Sequence, residues 1–146
     1  ETATHELAII DYLFSPTKIR EVHGSLRDLT GSGRDDFASV WVEFEAAPPA
    51  AVTVSWMYPE KIRRLAIVGE KGSAVFDEQR DEKLKFYLGG KILVPRIAAR
   101  EPLQNELKHF IFCIKNKKIP LTDIRRGVFI TEMLHKIMAG VILNKS

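Results

Sequence analysis

Hydrophobic positions change their spacing twice along the chain. Over residues 5 to 14, Leu7, Ile10, Leu13 and Phe14 recur at helical intervals, and Ser15-Pro16 closes the segment. From Ile19 to Pro95 the period is two. Ala38, Val40, Val42 and Phe44 alternate with Ser39, Trp41 and Glu43, and Val52, Val54 and Trp56 alternate with Thr53 and Ser55. The same reading predicts strands over Ile19 to Leu26, Ile62 to Val68, Ser73 to Asp77, Lys83 to Leu88 and Lys91 to Val94. After Pro95 the helical spacing returns. Leu103, Leu107, Phe110, Ile111 and Ile114 form one stripe behind Pro102, and Ile130, Leu134, Ile137, Met138, Val141 and Ile142 form a second behind the cap candidate Asp123.

The connections decide the topology. Gly89-Gly90 suits a two-residue hairpin, because glycine accepts the positive φ angles of the primed turns. Ala46 to Pro49 and Gly69 to Gly72 are too short for the crossover that parallel neighbours require. One helix, a run of strands and two further helices therefore predict an α+β fold with an open, mostly antiparallel sheet and helices packed on one face. A length of 146 residues suits a single domain, 1–146, with a real core. Arg125 and Arg126 fall in the first turn of the last helix, where the macrodipole disfavours cations; they hold an anion or a partner, or they point into water, and the second is the expectation.

Composition narrows the function classes. Hydrophobic residues make up 45% of the chain and charged residues 28%, which excludes disorder. The 22 Lys and Arg stand against 19 Asp and Glu, interspersed, and the net charge of +3 is a weak field for phosphate, so no nucleic-acid partner is expected. A single cysteine, Cys113, forms no internal disulfide, and no apolar run is long enough to cross a membrane. A cytoplasmic protein with no membrane contact is the expectation. The chain opens at Glu1, not Met, directly before a helical pattern, and is read as part of something longer.

The chemistry-bearing motifs are few. The sequence contains no Gly-x-Gly-x-x-Gly, no phosphate-binding Gly-x-x-x-x-Gly-Lys, no Gly-x-Ser-x-Gly, no His-Glu-x-x-His and no Cys-x-x-Cys, so no metal site is expected. His23, His109 and His135 fall inside strands or helices, where surface or packing roles are usual. His5 opens a helix four residues after Glu1. At that spacing a carboxylate and an imidazole share a helix face, and such a pair can move a proton near neutral pH or be only an exposed helix-start pair. A second cluster runs from Ser55 to Arg64. There Trp56 and Tyr58 stand beside Lys61, Arg63 and Arg64, a set able to stack on a ring and pair with an anion, or to be half-buried aromatics with solvated neighbours.

Three segments together resemble the C-terminal domain of the glucose-fructose oxidoreductase, inositol dehydrogenase and MocA (Gfo/Idh/MocA) family, in its sugar or sugar-nucleotide dehydrogenase branch. They are Glu1-Thr-Ala-Thr-His5 through Phe14, Val54-Ser-Trp-Met-Tyr-Pro-Glu-Lys-Ile-Arg-Arg through Asp77, and Glu101-Pro-Leu-Gln-Asn-Glu-Leu through Asp123. The resemblance implies an NAD(P)-dependent oxidoreductase acting on a sugar, sugar nucleotide or cyclitol, of which this chain is the substrate-binding and oligomerisation domain. NAD or NADP would be bound mainly by an N-terminal Rossmann domain outside this chain, with no cofactor held by the chain alone. The implied partners are a sugar-type substrate, that Rossmann domain and further copies of the protein joined through the open sheet face.

The family's Asp-x-x-x-His motif falls on Glu1 and His5, which makes them the catalytic candidates, with Glu in place of the usual Asp. His5 is then expected to face a cleft made with the absent domain. Trp56, Tyr58, Lys61 and Arg63 match the family's strand segment and are carried over as substrate-pocket or interface positions. The family's Glu-Lys-Pro lysine has no counterpart. The competing reading is a non-catalytic interaction or dimerisation module that retains the fold.

Overall fold

The computed structural model describes residues 3–14, 18–97 and 101–143. Its elements run, in chain order, α1 (Ala3–Phe14), β1 (Ile19–Arg27), β2 (Phe37–Phe44), β3 (Ala50–Ser55), β4 (Arg64–Gly69), β5 (Gly72–Asp77), β6 (Leu84–Leu88), β7 (Lys91–Leu93), α2 (Pro102–Lys115) and α3 (Ile124–Leu143). The α+β class and the antiparallel pairing agree with the sequence reading. The strands, however, form two open sheets, of three and four strands, and the chain divides into two compact units. One comprises Glu1–Met57 with Ile119–Ser146, and the other Tyr58–Lys118.

In the first unit β1, β2 and β3 pair antiparallel in that order. Val22 stands opposite Val42, and Val40 opposite Val52, so the period-two pattern places one apolar row on one face. Val42 and Phe44 are buried there with Val22, Leu26, Val40 and Val52. The helices α1 and α3 complete the core with Leu7 and Ile10 from one side and Met133, Ile137 and Val141 from the other. Each such side chain, fully buried, stabilises the fold by about 1.5–3 kcal/mol. Gly24 permits the close pairing of β1 and β2, because a Cβ there would lie 2.3 Å from the Ser39 carbonyl oxygen and its φ is +155°. The opposite face of the sheet mixes apolar Phe37, Trp41 and Ala51 with polar groups: Arg20 pairs with Glu43, Ser39 and Thr53 hydroxyls lie 3.2 Å apart, and the Trp41 indole N–H points to Glu43 at 3.4 Å.

The second unit is a four-stranded meander, β4-β5-β6-β7, followed by α2. The expected Gly89-Gly90 hairpin joins β6 to β7, with φ angles of +54° and +75°. Pro102 occupies the first turn of α2, as expected. Only Cys113 of α2 is buried, packed with the His109 ring 3.6 Å from its sulfur, whereas Leu103, Leu107, Phe110, Ile111 and Ile114 of the expected stripe are exposed.

Candidate functional site

The local chemistry of residues 28–36 builds one end of the three-stranded sheet. After β1 the chain turns through Asp28-Leu-Thr-Gly-Ser-Gly-Arg-Asp-Asp36, and two carboxylates organise it. The amides of Ser32 and Gly33 donate to Asp28, at 2.9 and 2.6 Å, and those of Leu29 and Thr30 donate to Asp36, each at 2.9 Å. The Leu29 amide, joined by Thr30, holds the Asp36 carboxyl below its ordinary pKa by stabilising the ionised form. The Asp36 carbonyl in turn accepts hydrogen bonds from the Trp56 amide at 3.0 Å and the Ser55 hydroxyl at 3.1 Å. One residue thus fixes both a loop and the exit of β3.

These elements enclose a cavity of about 160 Å³ within the first unit. Ala3 at the start of α1, Asp35, Asp36, Ser55, Trp56 and Met138 contribute to its wall. Trp56, which lines it, is 72% exposed. The cavity's volume lies below the about 300–1,000 Å³ of most small-molecule sites. Asp35 and Asp36 were not among the residues singled out from sequence. Their signal was present as turn chemistry, since aspartates flanking a Thr-Gly-Ser-Gly run are apt to cap loop amides.

His5 lies in the first turn of α1, two residues beyond Ala3, and is exposed. A step of two residues turns a helix by more than half a revolution, and His5 does not join Ala3 in lining this cavity. Glu1 lies outside the described residues. Of the second predicted cluster, Trp56 belongs to this unit with Ser55 and Met57, and Tyr58, Lys61, Arg63 and Arg64 belong to the other. There Lys61 and Arg63 converge on Glu78, at 2.8 and 3.7 Å, and Tyr58 is 40% exposed. The Lys61 ammonium, and after it Arg63, holds the Glu78 carboxyl below the usual carboxylate range.

Arg126 departs from expectation. Although partly exposed, it holds an anion: its guanidinium Nη1 stands 3.2 Å from Oδ1 of Asp11, a buried carboxylate of α1. The pairing offsets both the unfavourable helix-start position of the arginine and the burial of the acid. Asp123 is the expected cap, accepting the Arg126 amide at 3.1 Å.

Residues 1–75 match the family profile described as the GFO/IDH/MocA C-terminal domain, about half of the chain. The chain belongs to this family. A fold likeness to solved structures extends over nearly all of it. UDP-N-acetylglucosamine 3-dehydrogenase GnnA from Acidithiobacillus ferrooxidans superposes with a TM-score of 0.88 at 18% identity, over 97% of this chain and 46% of that one. Aldose-aldose oxidoreductase from Caulobacter crescentus, complexed with glycerol, gives 0.79 at 18% identity, over 97% and 44%. The WlbA dehydrogenase from Bordetella pertussis, in complex with NADH and UDP-GlcNAcA, gives 0.71 at 20% identity, over 99% and 42%. The chain therefore spans less than half the length of each of these structures. No curated protein matches its sequence. Among the described residues no helix is long and apolar enough to cross a membrane, and no group of three or more His, Cys, Asp or Glu side chains could hold a metal ion.

The described elements do not fit a dinucleotide. Every strand pairing among them is antiparallel, and a dinucleotide cradle is built on a parallel βαβ unit whose glycine-rich turn opens a helix.

Proposed function

We propose that this chain is the substrate-binding and oligomerisation domain of an NAD(P)-dependent cytoplasmic oxidoreductase acting on a sugar, sugar nucleotide or cyclitol. The observation that carries the reading is the family match over residues 1–75, which contains α1 with His5 and the whole three-stranded sheet. The nicotinamide cofactor belongs to a Rossmann domain outside this chain, and the redox step is the cofactor's.

What remains for these residues is to grip the sugar and manage its hydroxyl proton. Trp56, whose side chain is exposed, offers an aromatic face to a pyranose ring. His5, exposed in the first turn of α1, is the proton-transfer residue: an imidazole within about 2.6–3.2 Å of a secondary alcohol can take its proton as the C–H bond breaks. Glu1 orients that ring, while Tyr58, Lys61 and Arg63 serve the pocket or an interface. Copies of the protein join through the open sheet face.

The test is His5→Ala in the full-length protein, with reduction or oxidation of the nicotinamide followed against UDP-sugars, free aldoses and cyclitols. Turnover should fall by about 10²-fold or more, with cofactor affinity little changed. An unchanged rate would overturn the proton role of His5. Absence of turnover with every substrate class would favour the non-catalytic module.

A further inference from the structure

Asp11 is a buried charge that the proposed proton transfer does not use. Its carboxyl lies on the inner side of α1 next to Ile10, and the residue is 7% exposed. Oδ1 accepts no aligned hydrogen bond among the described residues, so the guanidinium of Arg126 at 3.2 Å is what compensates it. A groove of about 330 Å³ runs beside the pair, lined in part by Tyr12, Thr122 and Asp123. Solvent therefore reaches Arg126, whose side chain is 35% exposed, while that of Asp11 is 5% exposed. Arg126 is itself held at the backbone by the Asp123 cap.

Leu7 and Ile10 fix how deeply α1 sits, but the apolar driving force is non-directional. A buried ion pair is directional. It carries the one charge-to-charge link between α1 and α3 among the described residues. His5 lies six residues upstream, about 9 Å along the helix axis. On a helix of about 5–6 Å radius, a roll of about 10° displaces a side-chain tip by about 1 Å, and a 1 Å misplacement can cost about 10² in rate.

We propose that the Asp11–Arg126 ion pair is a positioning device that sets the roll and axial placement of α1, and through them the aim of the His5 ring. This rests on the proton role proposed for His5.

The test uses the full-length protein with Arg126→Gln, Arg126→Lys and the double variant Asp11→Asn/Arg126→Gln, each first shown to be folded by circular dichroism. The double variant leaves neither charge unpaired and serves if the single Gln variant does not fold. Loss of the pair should lower kcat about tenfold or more, leave KM within about twofold, and be largely rescued in Arg126→Lys. In histidine-labelled protein the His5 imidazole resonance should move in the Gln variants, whatever the substrate. A folded double variant with wild-type kcat, or with an unmoved His5 resonance, overturns the inference while His5→Ala remains slow. A silent His5→Ala instead overturns the underlying reading, and the inference with it.

Discussion

At the scale of single residues, the most informative side chain is one whose neighbours explain it completely. Asp36 binds two loop amides through its carboxylate and two groups at the β3 exit through its carbonyl. Asn can offer only one acceptor oxygen to the two amides, so Asp36→Asn should loosen the 28–36 loop and lower stability at neutral pH. The sign of the pH dependence follows from the lowered pKa. The contribution is fully present above the unfolded aspartate value of about 3.9 and is lost as pH falls through the lower folded value. Urea unfolding should therefore separate wild type from variant at pH 7, with the gap closing in acid. A gap that persists unchanged at low pH would assign the effect to something other than ionised Asp36.

Among the elements, legibility followed the strength of the local signal. The hairpin at Gly89-Gly90, the Pro102 helix start and the Asp123 cap were all readable, because each is a short-range demand of the backbone on particular residues. The division of the strands between two sheets was not. Val54 and Ile62 both look like strand residues, and nothing in period-two alternation says whether successive strands share hydrogen bonds across Pro59. The Asp11–Arg126 contact was equally hidden, since it joins residues far apart in sequence.

The end of α2 also escaped the sequence reading. Lys117 adopts a φ of +50° and the Lys118 amide donates back to the Cys113 carbonyl at 2.9 Å, the closing geometry in which glycine is the usual residue. The Lys118 ammonium then lies 5.3 Å from the centre of the Phe112 ring. Because a left-handed conformation costs a non-glycine residue about 1–2 kcal/mol, Lys117→Gly should raise stability by about 1 kcal/mol in denaturant titration. A loss of stability would show that the lysine side chain holds the turn.

At the scale of the molecule, the buried apolar residues are unevenly shared. Among the described residues, all but Cys113 of the buried hydrophobic side chains belong to the first unit, where Leu7 is 1% exposed and part of the core cluster. Leu7→Ala should cost about 2–5 kcal/mol. Amide exchange should show the loss of protection concentrated in α1, α3 and the three-stranded sheet, and equal loss across β4–β7 would contradict that assignment.

The same unit is interrupted in sequence: its chain leaves at Met57 and resumes at Ile119. Met133, Ile137 and Val141, which seal the core against Val22 and Val42, are translated only after the whole intervening stretch. Bridging about sixty residues costs roughly 3–4 kcal/mol in closure entropy before those contacts return anything. During synthesis the sheet and α1 must therefore wait on the ribosome, greasy face uncovered, for the arrival of α3, and slow codons or chaperone capture over the intervening region would prolong that exposure.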